Sequence, residues 1–200
     1  MTDTRYASSV SFITIVSGLP RSGTSMMMRM LAAGGIEIVT DSMRQADADN
    51  PHGYYEYEYV KRIKKDASWL DDTYGKAFKM VLSLLYDLPM NRTYKILVME
   101  RNMQEVLTSQ RIMLQRQGKE VSGPDDEHMA YMFARHIATT KAWLKDQNNM
   151  DVIYMHYHDV LSKPRESAEK VQQFLGQALD TDRMVTAVDV SLYRNRATFR

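Results

Sequence analysis

Four short runs of apolar, β-branched or aromatic residues punctuate the chain: FITIVS at 12–17, KAFKMV at 76–81, YKILVME at 94–100 and DVIYMHY at 151–157. The first and third are apolar almost throughout, as strands covered on both sheet faces tend to be. Between these runs the apolar residues shift to helical spacing, which predicts helices over 25–33, about 55–67, 103–117 and 125–145. A fifth helix is predicted to start within SKPRE, where Pro164 suits the first turn, and to stop at Gly176. In the 125–145 segment Met129, Met132, Phe133, His136, Ile137, Thr140 and Leu144 recur at helical spacing, which assigns His136 to the core.

Strand and helix alternate, so the predicted class is α/β, with helices layered on both sides of a mostly parallel central sheet. In such sheets ligands bind beyond the carboxyl ends of the strands, near the point where strand order reverses. The segments 40–53, 70–76, 86–93 and 118–126 read as loops.

GLPRSGTSM, at 18–26, directly follows the first strand. Gly18, Gly23 and Ser25 keep the spacing of a nucleotide-triphosphatase phosphate loop, but Thr24 occupies the lysine position. The fold is therefore expected to be P-loop-like. A glycine-rich turn between a buried strand and a helix start aims several backbone N–H groups at one point, and the helix dipole adds its positive end. Ser22, Thr24 and Ser25 add hydroxyls and Arg21 adds a fixed charge. The loop suits a phosphate but lacks the lysine that serves γ-phosphoryl transfer.

Composition narrows the classes. Two hundred residues, 44% of them hydrophobic, suffice for a single domain over 1–200 with a sizeable core. The absence of cysteine excludes disulfides, thiolate catalysis and thiolate-bound zinc. A net charge of +1 advertises neither nucleic acid nor membrane as a partner. No apolar run approaches the ~20 residues that span a bilayer, and no secretory h-region opens the chain. A soluble, cytoplasmic protein is expected. The histidines show no metal-ligand spacing, so no metal is expected, and the crowd of Met26, Met27, Met28 and Met30 reads as adaptable core filler.

A second anion clamp is suggested by ERNMQEVLTS. Arg101 follows the third strand, Asn102 suits a helix N-cap, and Ser109 lies two turns along that helix. An arginine and a serine emerging on the same rim as the loop could converge on a second phosphate.

Here the chain resembles the sulfotransferases that use 3′-phosphoadenosine 5′-phosphosulfate (PAPS). Their 5′-phosphosulfate loop, P-[KR]-S-G-T-[ST], is matched by PRSGTS at 20–25. Their arginine followed eight residues later by a serine is matched by Arg101 and Ser109, with Met103 where proline is common. A third block is matched by YHDVLSKPRESAEKVQQFLG at 157–176. The resemblance implies PAPS as co-substrate, without a metal. Arg21, Ser22, Gly23, Thr24 and Ser25 would hold the 5′-phosphosulfate, Arg101 and Ser109 the 3′-phosphate, and Tyr157 would lie near the nucleoside.

The acceptor implied is a small molecule or carbohydrate bearing a hydroxyl or amine, whose proton needs a general base. In the cytosolic branch that base is the histidine of a K-x-H strand. Here FKMVLS keeps Lys79 but has Val81 in the histidine's place. The branch that includes carbohydrate sulfotransferases, which this chain resembles more, uses a glutamate nearer the first helix. DNPHGYYEYE offers Glu56, with His52 as the alternative, while Lys79 and Arg21 would neutralise the leaving phosphate. The cytosolic G-x-x-G-x-x-K segment is absent, and Arg194 and Arg196 of the basic tail would approach the 3′-phosphate instead. Loops 40–55, 70–76 and 118–126 are expected to select the acceptor. Two other readings stay open: a nucleotide or small-molecule kinase with a degenerate loop, and a non-catalytic nucleotide-binding module.

Overall fold

The computed structural model describes residues 10–41, 43, 46, 47, 50–118 and 125–193. Among these residues four parallel strands form one sheet in the order β2-β1-β3-β4, with β1 at Ile13–Gly18, β2 at Ala77–Val81, β3 at Tyr94–Glu100 and β4 at Met150–His156. Each lies within two residues of its predicted position. β1 is buried at every residue, which explains its unbroken apolar character.

Among the described residues six α-helices flank the sheet: α1 (Thr24–Ala33), α2 (Met103–Arg116), α3 (Asp126–Lys145), α4 (Tyr157–Ser162), α5 (Pro164–Leu175) and α6 (Thr181–Thr186). Alternating strand residues feed two cores. Ile13, Ile15, Ile96 and Val98 pack on one side with Val106 of α2, Leu144 of α3 and Trp69. Val16, Leu97 and Met99 pack on the other with Val171 of α5, Met184 of α6 and the fully buried Met27, Met28 and Met30 of α1. Burying each such side chain contributes roughly 1.5–3 kcal/mol. The result is the three-layer α/β/α arrangement read from the sequence.

Register sets where the site lies. Gly18 pairs with Val81 on one side and Met99 on the other, so β1, β2 and β3 end at one level. The glycine-rich loop, the end of β2 and the turn carrying Arg101 therefore share a rim. The chain leaves β1 for one neighbour and later returns to its other side as β3, which places the reversal of strand order at the loop.

Several expectations are corrected. Residues 55–67 form no α-helix; after an extended stretch the chain makes a short 3-10 helix at Glu58–Arg62. Tyr55 adopts φ 53°, in the left-handed region, and the N–H of Glu58 bonds to the Asp41 carboxylate at 2.6 Å, so long-range contacts override local propensity. His136 is half-exposed and outside both cores, because only Thr140 and Leu144 of α3 are buried. The 70–76 segment is largely structured, since a 3-10 helix at Ser68–Thr73 buries Trp69 and Leu70. β4 ends at His156, and Tyr157 opens α4 instead of closing the strand. Among the described residues no helix is long and apolar enough to cross a membrane.

Candidate active site

The loop begins with a tight turn. Ser22 N–H bonds to Leu19 O at 3.1 Å, with Pro20 at the second position and Arg21 at the third, φ 74°. A type II turn requires positive φ there and normally places glycine or asparagine. An arginine in this conformation costs about 1–2 kcal/mol, so its side chain must be held. Arg21 Nε–H donates to Ser109 Oγ at 2.9 Å, and Arg101 donates to Arg21 O at 3.2 Å. Gln110 adds a bond to Pro20 O at 3.1 Å. Three hydrogen bonds thus tie the loop to the β3–α2 junction and the first half of α2.

Gly23 then caps α1 at φ 100°, without any side-chain cap and with no acid in the first turn. A Cβ on Gly23 would lie 2.4 Å from the Tyr157 ring, so only glycine lets the aromatic ring pack against the loop. The first N–H groups of α1 lack intrahelical partners, and Gly23, Thr24 and Ser25 line the cavity.

The β3–α2 junction is held by capping and stacking. Asn102 accepts from the N–H groups of Gln104 and Glu105, starting α2 where the sequence predicts. Arg101 is only 8% exposed; its Nε–H donates to Glu105 at 2.8 Å and its guanidinium lies 4.3 Å from the Tyr157 ring centre. Tyr193 reaches in from the far end of the described chain, donating its hydroxyl to the other Glu105 oxygen at 2.5 Å. Burial, the largest influence, raises the Tyr157 phenol above its ordinary value and keeps it neutral.

On the opposite side of the loop, Lys79 Nζ donates to Tyr54 O and to Ser25 Oγ (3.4 Å), and lies 4.0 Å from the Glu56 carboxylate. Asn50 also donates to Ser25 Oγ, at 3.0 Å. Glu56 is fixed through its own carbonyl, which accepts from Thr40 Oγ1 at 2.9 Å and Asp41 N–H at 3.2 Å. Glu58 instead pairs with Lys61, so only Glu56 of the two acids faces the loop. His52 lies farther out, paired with Asp189 at 3.0 Å. The Ser191 hydroxyl, followed by His52, lowers Asp189 to about 2, so it is ionised at neutral pH.

A cavity of about 400 Å³ gathers Arg21, Gly23, Thr24, Ser25, His52, Glu56, Lys79, Arg101, Ser109 and Tyr157 on one wall system. Its lining carries six arginines or lysines against two carboxylates, a field that suits a multiply charged anion. Ser22 is the exception: it is 2% exposed, does not line the cavity, and its hydroxyl lies 2.4 Å from where a Gly18 Cβ would stand. Its side chain therefore packs beneath the loop, leaving its backbone as the part near the rim. Arg194 and Arg196 lie outside the described residues. Of the expected selecting loops, Asn50, His52 and Tyr54 line the cavity among the described residues, whereas 70–76 does not. Among the described residues no cluster of three or more His, Cys, Asp or Glu is placed to hold a metal ion.

The sulfotransferase domain family matches residues 13–198, nearly the whole chain. The chain belongs to the sulfotransferase family. Solved structures agree on the fold. The sulfotransferase domain of the Synechococcus PCC 7002 olefin synthase is 14% identical, with a TM-score of 0.53 over 91% of this chain and 78% of that one. The sulfotransferase domain from the curacin biosynthetic pathway is 16% identical, TM-score 0.51, covering 91% and 79%. Mouse sulfotransferase SULT7A1, complexed with PAP, is 16% identical, TM-score 0.53, covering 95% and 68%. No curated protein sequence matches the chain.

Within this sulfotransferase the sequence pattern did not single out Asn50, Tyr54, Glu105, Asp189 or Tyr193. Glu105 alone carried a local signal, lying in the first turn of the helix that starts two residues after Arg101. The Tyr54 contribution is a backbone carbonyl, which no residue type advertises.

Proposed function

We propose that the protein transfers a sulfuryl group from PAPS to a hydroxyl or amine, with Glu56 as general base. The observation that carries this reading is the Arg21–Ser109 bond: it joins the two anion clamps at one cavity. Two phosphates on one ribose suit such a pair, and the mouse sulfotransferase of similar fold is complexed with PAP. PAPS supplies the activated sulfuryl group.

This chain's residues do the rest. The α1 N-terminus, Thr24 and Ser25 hold the 5′-phosphosulfate, while Arg101 and Ser109 hold the 3′-phosphate. Glu56 accepts the acceptor's proton as the acceptor oxygen bonds to sulfur and the bond from sulfur to the bridging phosphate oxygen breaks. Lys79 and Arg21 stabilise the charge gathering on the departing 5′-phosphate, a fixed electrostatic role that requires no metal. Lys79, held by Tyr54 O and Ser25, stands between the loop and Glu56, so donor phosphate and base converge there.

Incubation with sulfur-labelled PAPS and a panel of phenols, alcohols, amines and saccharides, with EDTA present, tests the reading. Labelled product is expected from at least one member. No transfer to any of them, by protein that binds 3′,5′-adenosine bisphosphate, would overturn it in favour of a non-catalytic module.

A further inference from the structure

We infer that the acceptor is an alcohol or phenol with an apolar body, and that Val81, Leu84, Ile112 and Met113 form its seat. This rests on the sulfuryl-transfer reading above. On β2, Lys79 and Val81 are two residues apart and so share a face. Val81 is 41% exposed and lines the cavity. A hydroxyl brought to Lys79 and Glu56 therefore has its carbon frame beside a valine, and beyond it Leu84.

Another part of the cavity wall comes from α2. Ser109, Ile112, Met113 and Arg116 recur at i, i+3, i+4 and i+7 and all line the cavity. Ile112 and Met113 thus lie about one turn, ~5 Å, beyond the Ser109 clamp. Val60 and Tyr57 complete this part of the wall. Tyr57 is stiffened by Tyr59, 5.3 Å away and stacked, and by the edge of Trp69, also at 5.3 Å. Exposed Lys61 and Arg116 add charge here besides Lys79.

Apart from the Tyr57 hydroxyl and Ser109, the hydrogen-bonding side chains Asn50 and His52 of the cavity are committed to partners. Asn50 is bonded to Ser25, and His52 pairs with Asp189. A sugar placed against Val81, Leu84, Ile112 and Met113 would bury hydroxyls without partners, at roughly 1–3 kcal/mol each. An apolar body there gains about 25 cal/mol per Å² removed from water. The difference favours an apolar acceptor over the carbohydrate that the resemblance suggested.

Calorimetric titration with 1-naphthol and with methyl glucoside tests this, on the protein alone and with 3′,5′-adenosine bisphosphate bound. 1-Naphthol is expected to bind at least 10-fold more tightly than the glucoside. Ile112→Asn and Leu84→Asn, each shown folded by circular dichroism, are expected to weaken 1-naphthol by about 10-fold and leave the bisphosphate affinity within 2-fold. Equal binding of the two compounds, tighter glucoside, or no effect of either substitution would overturn the assignment. Binding of 1-naphthol without any binding of the bisphosphate would support the apolar seat while overturning the PAPS reading.

Discussion

Arg21 Nε–H donates to Ser109 Oγ across 2.9 Å, joining residues 88 positions apart in the chain. One end lies in a turn with positive φ, the other on the helix that follows β3. The bond ties the glycine-rich loop to the helix that carries Ser109.

Removing the hydroxyl should weaken the second clamp selectively. Ser109→Ala is expected to lower affinity for 3′,5′-adenosine bisphosphate about 10-fold or more, the usual worth of a hydrogen bond to a charged group. Affinity for 5′-AMP should change less than 3-fold. Calorimetry on both ligands checks this, and an equal loss for the two would place Ser109 away from the 3′-phosphate.

Arg21→Gly separates stability from binding. Glycine relieves the left-handed strain while losing the Ser109 bond, two opposing effects of about 1–2 kcal/mol each. Thermal unfolding should therefore shift little. Bisphosphate affinity should fall at least 10-fold, because a fixed charge beside the leaving phosphate is gone.

The base assignment predicts a kinetic split. Glu56→Gln should reduce kcat by about 10²–10⁴, the range of general-base catalysis, with bisphosphate affinity nearly unchanged. His52→Gln should reduce kcat less than 10-fold, since His52 is committed to Asp189 at the cavity's outer edge. Reversal of the two effects would make His52 the base.

Asp189 gives a pH dependence of defined sign. Its pKa is depressed from an ordinary 3.8 to about 2, chiefly by the Ser191 hydroxyl and then by His52. A depressed carboxylate contributes stability that is present above the unfolded value and lost as pH falls through the folded one. The stability difference between the protein and Asp189→Asn should therefore be level from pH 7 to about 5 and shrink between about pH 4 and 2. Urea unfolding at a series of pH values measures it.

The sheet was legible because its strands are buried runs with strong β-formers, and Gly18, Pro20 and Gly23 mark the loop unmistakably. Arg101 and Ser109 were legible through their place at a strand end and along the next helix. The 55–67 segment was not, because a remote carboxylate, Asp41, and the left-handed Tyr55 decide its path. Asp189 was equally hidden: its partner His52 lies 137 residues earlier, and neither residue carries a local signal for the other. The side-chain direction of Ser22 also escaped, since strand–turn geometry turns its hydroxyl under Gly18 rather than toward the rim.

Whether two phosphate clamps form one site is decided by titrating the protein with 3′,5′-adenosine bisphosphate and with 5′-AMP under the same salt. The bisphosphate is expected to bind at least 10-fold more tightly, through Arg101 and Ser109. Equal and weak binding of the two nucleotides would contradict the joined clamps.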